Sequence, residues 1–169
     1  MMGMILPMLI GLMLAAHIGQ AGTLTFTKPA AWTDRAASSS MRVAEFVVPR
    51  ASGDAEDGEL IVYYFGGTGG SVEANLQRWA SQFQSAKDPI RTSAVVNGLK
   101  LTSLDVSGTY VAEVRPGSTE RHNKPAFRMR ATVVETPKGP YFIKLTGPSA
   151  TVDKAGAVFD QFLQSLAFK

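Results

Sequence analysis

Three kinds of pattern divide the chain. Residues 4–16, MILPMLIGLMLAA, are apolar without a break. Beyond residue 21, short runs of period two alternate with two stretches of period 3.6. The period-two runs predict strands over 24–27, 41–48, 91–96, 99–106, 127–136 and 141–146, with 110–114 extending the sheet after Gly108. Residues 59–65, ELIVYYF, are apolar on both sides, which predicts a central strand covered from above and below. In MRVAEFVV, simple alternation places Met41, Val43 and Glu45 on one face and Ala44, Phe46 and Val48 on the other. Val72, Leu76, Trp79 and Phe83 form one helical stripe. It predicts a helix N-capped by Gly70 or Ser71, with Glu73 in its first turn, ending near Lys87 ahead of Pro89. Val152, Ala155, Phe159, Phe162 and Leu166 form a second stripe, which predicts a final helix over 151–166. Asn97-Gly98 between two strand runs is a type I′ hairpin signal, and Pro137-Lys138-Gly139-Pro140 closes a second hairpin. Residues 32–40, 50–58 and 115–124 read as polar loops.

Strands, helix, antiparallel hairpins and helix, in that order, imply one α+β domain over 22–169. The expected architecture is a largely antiparallel β-sheet flanked by helices on both faces, an αβα sandwich. The apolar run at 4–16 has the length of a signal-peptide core and falls short of the ~20 residues that span a bilayer. Gly19 and Ala21 place small side chains at −3 and −1 of a cleavage after Ala21, so residues 1–21 read as a signal peptide. Met1-Met2-Gly3 carries no Lys or Arg, so an N-terminal membrane anchor is the alternative. The expectation is an exported protein, periplasmic or secreted, with no membrane span after cleavage.

Composition sharpens that division. The chain has 169 residues, 45% hydrophobic and 18% charged, and a net charge of +3. No charged side chain precedes Lys28, and five of the 7 methionines lie in the first thirteen residues, so the apolar surplus belongs to the leader. There is no cysteine, which excludes disulfides, thiolate metal sites, thiol catalysis and a lipid-modified cysteine. Of the 2 histidines, His17 lies in the leader, leaving His122 alone in the domain. A histidine-ligated zinc site is excluded by that count.

Several segments carry a family resemblance. They are Ser39-Ser40-Met41-Arg42-Val43-Ala44-Glu45-Phe46, Tyr64-Phe65-Gly66, and Gly69-Gly70-Ser71-Val72-Glu73-Ala74-Asn75 with Arg78-Trp79. Asp105-Val106-Ser107-Gly108-Thr109-Tyr110 and Lys144-Leu145-Thr146-Gly147-Pro148 complete the set. Together they resemble the PsbP-like fold group and, within it, an uncharacterised family of exported bacterial proteins. The group also holds the photosystem II subunit PsbP and a nuclear protein that binds the Ran GTPase. The resemblance implies the fold. It transfers no manganese-cluster, chloride or Ran-binding motif.

Candidate chemistry is sparse. Gly66-Gly67-Thr68-Gly69-Gly70-Ser71 stands between a strand and a helix, the layout that cradles phosphate. It lacks the closing Gly-Lys of a P-loop and the spacing of a dinucleotide fingerprint, so it reads first as a permissive turn. Asp54, Glu56, Asp57 and Glu59 are dense in acid but lack the spacing of an EF-hand. Arg115, Arg121, Lys124, Arg128 and Arg130, with His122 among them, make a locally basic stretch. Arg128 and Arg130 share one strand face there. A hydrolase would have to work through His122, and no G-x-S-x-G or S-x-x-K motif supports one. Glu45, Glu113 and Glu135 are strand acids that a glycoside hydrolase could pair. Trp32, alone in a loop, is a candidate for partner contact.

The expectation is therefore a non-catalytic exported domain with no cofactor and no nucleic-acid ligand, binding an envelope protein or polymer. Its surface would be Gly66, Gly67, Thr68, Gly69, Gly70 and Ser71 with Arg115, Arg121, His122, Lys124 and Trp32. The alternatives are a small-molecule or ion carrier with a pocket between helix and sheet, and a hydrolase using His122.

Overall fold

The computed structural model describes residues 18–21, 24–85 and 87–169. The element order is β1 (Ile18–Ala21), β2 (Leu24–Thr27), β3 (Thr33–Arg35), β4 (Arg42–Val48), β5 (Gly58–Tyr64), α1 (Val72–Ala80) and β6 (Phe83–Ser85). It continues with β7 (Ile90–Val96), β8 (Leu99–Tyr110), β9 (Lys124–Thr136), β10 (Gly139–Pro148), α2 (Ser149–Gln164) and β11 (Ala167–Phe168). The main sheet runs β3-β4-β5-β10-β9-β8-β6, with β7 also paired to β8. A small sheet runs β1-β2-β11. Every neighbouring pair in the two sheets is antiparallel. The described residues thus form an α+β domain with a largely antiparallel sheet and two helices.

The apolar run at 4–16 lies outside the described residues. Ile18–Ala21, at the end of the expected leader, pairs with Leu24–Thr27. Cleavage after Ala21 would take this strand out of the small sheet. No described helix is long and apolar enough to cross a membrane.

The strong sequence signals map onto real elements. Asn97 and Gly98 both take positive φ, 48° and 79°, as a type I′ turn requires, and join β7 to β8. Ser71 caps α1, its hydroxyl accepting from the Ala74 N–H. Gly58–Tyr64 is an interior strand, between β4 and β10.

Four expectations need correction. Helix α1 stops at Ala80 instead of Lys87. The Ser81 hydroxyl donates to the Arg78 carbonyl, and the Gln82 carbonyl is taken by the Val111 N–H, so the chain leaves the helix and Phe83 pairs with Tyr110. Phe83 is therefore a strand residue, though still buried beside Trp79. Second, residues 33–35 form a strand on β4, and Trp32 before it is only 3% exposed. Third, β10 runs through Gly147 and Pro148 and passes directly into α2 at Ser149. Fourth, the β4–β5 register shifts between Arg42 and Ala44. Arg42 pairs with Tyr63, Ala44 with Val62 and Glu45 with Ile61, leaving Val43 as the extra residue. Strict alternation breaks there, and Arg42 shares the side of Glu45.

Two apolar clusters hold the domain. The larger contains Phe26, Trp32, Phe46, Leu60, Val62, Tyr141, Ile143 and Leu145, closed by Val152, Phe159 and Phe162 of α2. The smaller contains Met129, Ala131, Val133 and Phe142, closed by Leu76 and Trp79 of α1. Along β10, Tyr141, Ile143 and Leu145 thus enter one cluster and Phe142 enters the other, the period-two alternation of a strand.

Candidate functional site

Lys144 should continue the series begun by Phe142, which packs on α1. Among the described residues no apolar roof covers it. Helix α1 ends too early, and residues 111–123 leave the sheet after β8 and return to β9. The gap between the two is a cavity of about 550 Å³. Its floor comes from Glu59, Ile61 and Tyr63 of β5 and Lys144 and Thr146 of β10. One wall is Arg78, Ser81 and Gln82 at the end of α1, with Arg42 of β4. The other is Tyr110 and loop residues that include Glu113, Arg121 and His122. A second cavity of about 360 Å³ shares Glu59, Tyr110, His122 and Thr146 with it and adds Arg35, Glu56 and Lys124. The two form one polar groove.

The charges in this groove are held in different ways. Glu45, beside the floor on β4, is almost wholly buried and accepts from the Ser38 N–H at 2.8 Å and hydroxyl at 2.9 Å. Arg35 at 3.1 Å and Arg42 at 3.3 Å complete its shell. Burial pushes against its charged form, but the Ser38 bonds and the two guanidiniums outweigh it and hold the carboxyl below its ordinary range. Arg35 also binds Glu59 at 2.5 Å. Arg42 lies over the Tyr63 ring at 5.6 Å. Arg121 faces Glu113 at 3.9 Å. The Lys144 ammonium donates to Gln82 Oε1 at 3.1 Å, and no carboxylate partner stands within ion-pair distance among the described residues. Burial, then repulsion from Arg78 and Arg42, brings it down to about 8. Burial pushes the Tyr110 phenol up to about 12, so it stays a hydroxyl at neutral pH.

Asn75 connects this cleft to the glycine loop. It is completely buried, and its Nδ2 donates to the Gly69 carbonyl at 2.8 Å and the Ser71 carbonyl at 2.9 Å. Its Oδ1 accepts from Arg78. The loop is a packed turn: a side chain on Gly69 (φ 122°) would meet the Phe142 ring at 2.7 Å. It orients Arg78 through Asn75.

The structure separates the residues proposed from sequence. Arg121 and His122 line the cleft, and Lys124 lines the adjoining cavity while paired with Glu56 at 2.6 Å. His122 stacks on Tyr110 at 5.2 Å, and its ring is hydrogen-bonded to no hydroxyl among the described residues. Arg115 is exposed and lines neither cavity. Gly66, Gly67, Thr68, Gly69, Gly70 and Ser71 line neither. Trp32 is a core residue packed on Phe46 and Phe162, which removes it as a partner contact. Its place before a polar stretch hid the short strand that buries it. The basic stretch also divides. Arg128 binds Asp105 and Asp153, and Arg130 binds Asp160, so both are structural cations.

The acidic turn holds no cluster. Thr151 donates to Asp54, and Glu56, Asp57 and Glu59 each pair with a separate cation. No group of three metal-ligating side chains occurs among the described residues. Glu113 and Glu135 pair with Arg121 and Lys100, well separated in partners from Glu45.

Sequence reading passed over Lys144 as a chemical group. The available signal was a lone charge inside YFIKLT, a run otherwise free of charge. Arg42 needed the bulge, and Arg78 needed Asn75, neither of which a pattern reveals.

No protein-family model matches the chain, and no curated protein matches it in sequence. Several solved structures are similar, and two illustrate the likeness. One is PA94 from Pseudomonas aeruginosa, a protein of unknown function. It has a TM-score of 0.55 and 16% identity, over 90% of this chain and 96% of that one. The other is the solution structure of cyanobacterial PsbP from Synechocystis sp. PCC 6803. It has a TM-score of 0.50 and 15% identity, over 87% of each. At these identities the likeness is one of fold, and the chain has a PsbP-like fold.

Proposed function

We propose that this PsbP-like domain is a non-catalytic binding protein, acting after export, that carries a small molecule in the cleft between α1 and residues 111–123. The observation that carries the reading is a cavity of about 550 Å³ on which Arg42, Arg78, Lys144, Arg121, His122 and Glu59 converge. That volume lies in the range of small-molecule sites, roughly 300–1,000 Å³. A helix–sheet–helix sandwich supplies the setting. The division of β10 between the α1 and α2 clusters supports helices on opposite faces. The cleft then opens where α1 is too short to cover the sheet.

Native mass spectrometry of the protein recovered from cells tests this. The wild-type chain is expected to carry a non-covalent small-molecule adduct that Thr146→Trp, folded by near-UV circular dichroism, has lost. A wild-type chain without adduct, together with photo-crosslinks from Thr68 to an envelope protein, would replace the carrier reading with docking through the glycine loop.

A further inference from the structure

We propose that the cleft is a site for a dianionic oxyanion of the phosphate-monoester type, held by Lys144 and Arg78. This rests on the reading of the cleft as the ligand site and names the ligand's charged group.

The argument begins with which charges already have partners. Arg121 has Glu113, Arg42 has Glu45, and Glu59 has Arg35. Lys144 and Arg78 are the two cleft cations bonded only to neutral amides, Gln82 and Asn75, among the described residues. Two positive charges therefore line one recess, Lys144 half-buried on its floor and Arg78 exposed at its wall, with no counter-charge of their own. Like charges so placed repel, and Lys144 is also partly desolvated. A ligand carrying two negative charges removes both costs together, and a single carboxylate leaves one cation over.

The donors also suit a tetrahedral oxyanion. Arg78 presents a planar fork, which matches two oxygens of a phosphate, and Lys144 supplies a point charge from the floor. The fork is set before binding, because its partner Asn75 is completely buried and tied to two backbone carbonyls. Tyr110 remains a hydroxyl and so remains a donor. The stacked Tyr110–His122 pair makes a flat wall beside these groups, suited to the organic part of an ester.

Sulfate and inorganic phosphate are the probes, titrated calorimetrically into the purified protein at low ionic strength, where ion binding is least screened. Sulfate stays a dianion throughout the working pH range. Lys144→Met and Arg78→Gln are each expected to weaken sulfate about tenfold or more, a change of one opposed charge in a semi-buried site. Arg115→Gln, outside the cleft, serves as the control and is expected to bind as the wild type does. Near-UV circular dichroism confirms that each variant is folded.

Equal weakening by all three variants means general charge screening and overturns the proposal, as does unchanged binding in Lys144→Met and Arg78→Gln. An uncharged or cationic native adduct, with neither anion bound, overturns the oxyanion and leaves the carrier reading in place. Cosedimentation with phosphatidylcholine vesicles carrying phosphatidic acid separates two sources of the group. Pelleting abolished by Lys144→Met assigns it to a lipid headgroup. Cleft-dependent sulfate binding without pelleting assigns it to a soluble ester.

Discussion

Arg130 on β9 and Lys144 on β10 are both cations on neighbouring central strands of the main sheet, and their surroundings are opposite. Arg130 lies against α2, bonded to Asp160 at 2.6 Å and the Gly156 carbonyl at 3.3 Å, with its guanidinium 4.8 Å from the centre of the Phe159 ring. Its neighbour Arg128 is held by Asp105 and Asp153. Beside α2, then, Arg128 and Arg130 each meet a carboxylate, and the cavity they adjoin is smaller, about 270 Å³. Lys144 lies beside the end of α1, with an amide for a partner and two arginines for neighbours. The region around α2 is built for stability. The region beyond α1 carries an electrostatic cost at Lys144 that folding does not require.

The largest test of that contrast is Phe162→Ala. Phe162 packs on Phe26, Trp32 and Phe159, so its loss is expected to cost about 3–5 kcal/mol in urea denaturation. A cost below about 1 kcal/mol would mean that the α2 region is not the principal core.

Arg128→Met is expected next, at about 1–3 kcal/mol of destabilisation, because it leaves the half-buried Asp105 without its cation. Partial exposure keeps this below the cost of a fully buried pair.

Glu45→Gln should cost about 2 kcal/mol at neutral pH, since Arg35, Arg42 and Ser38 all converge on that carboxylate. The native carboxyl sits below its ordinary value, so its contribution is complete above the ordinary carboxylate range. It is lost as pH falls through the native value. Wild type and variant should therefore converge in acid, and a gap that persists there would refute a charged role for Glu45.

Lys144→Met reverses the sign. It is expected to raise stability by about 1–2 kcal/mol at pH 7, because it removes a desolvated charge that faces Arg78 and Arg42. The native lysine titrates near 8 against an ordinary 10.5. Its penalty is complete below about pH 8, fades as pH rises from there to 10.5, and is gone above. The advantage of the variant over wild type should shrink across that same window. A destabilised Lys144→Met at pH 7 would place Lys144 with Arg128 and Arg130 as a structural cation and end the contrast.

Most of the fold was legible because it is written in local patterns. The hairpin at Asn97-Gly98, the Ser71 cap, the interior strand at Gly58–Tyr64 and the two helical stripes each depend on residues close in sequence. The shorter strands were not legible, since Thr33–Arg35 and Phe83–Ser85 exist only by pairing with residues ten or more positions away. The candidate site was legible only in part. His122 and Arg121 stood out as chemical groups and do line the cleft, but Trp32 stood out equally and is buried.

By itself the sequence determined an α+β domain, its hairpins, both helices and the absence of thiol chemistry, because period, turn residues and composition act locally. Tertiary structure decided which charges are spent on each other. One bulge turned Arg42 toward Tyr63, the early end of α1 left Lys144 uncovered, and a buried Asn75 aimed Arg78 at the same recess. Pairing depends on distances between residues far apart in the chain, and only the packed molecule sets them.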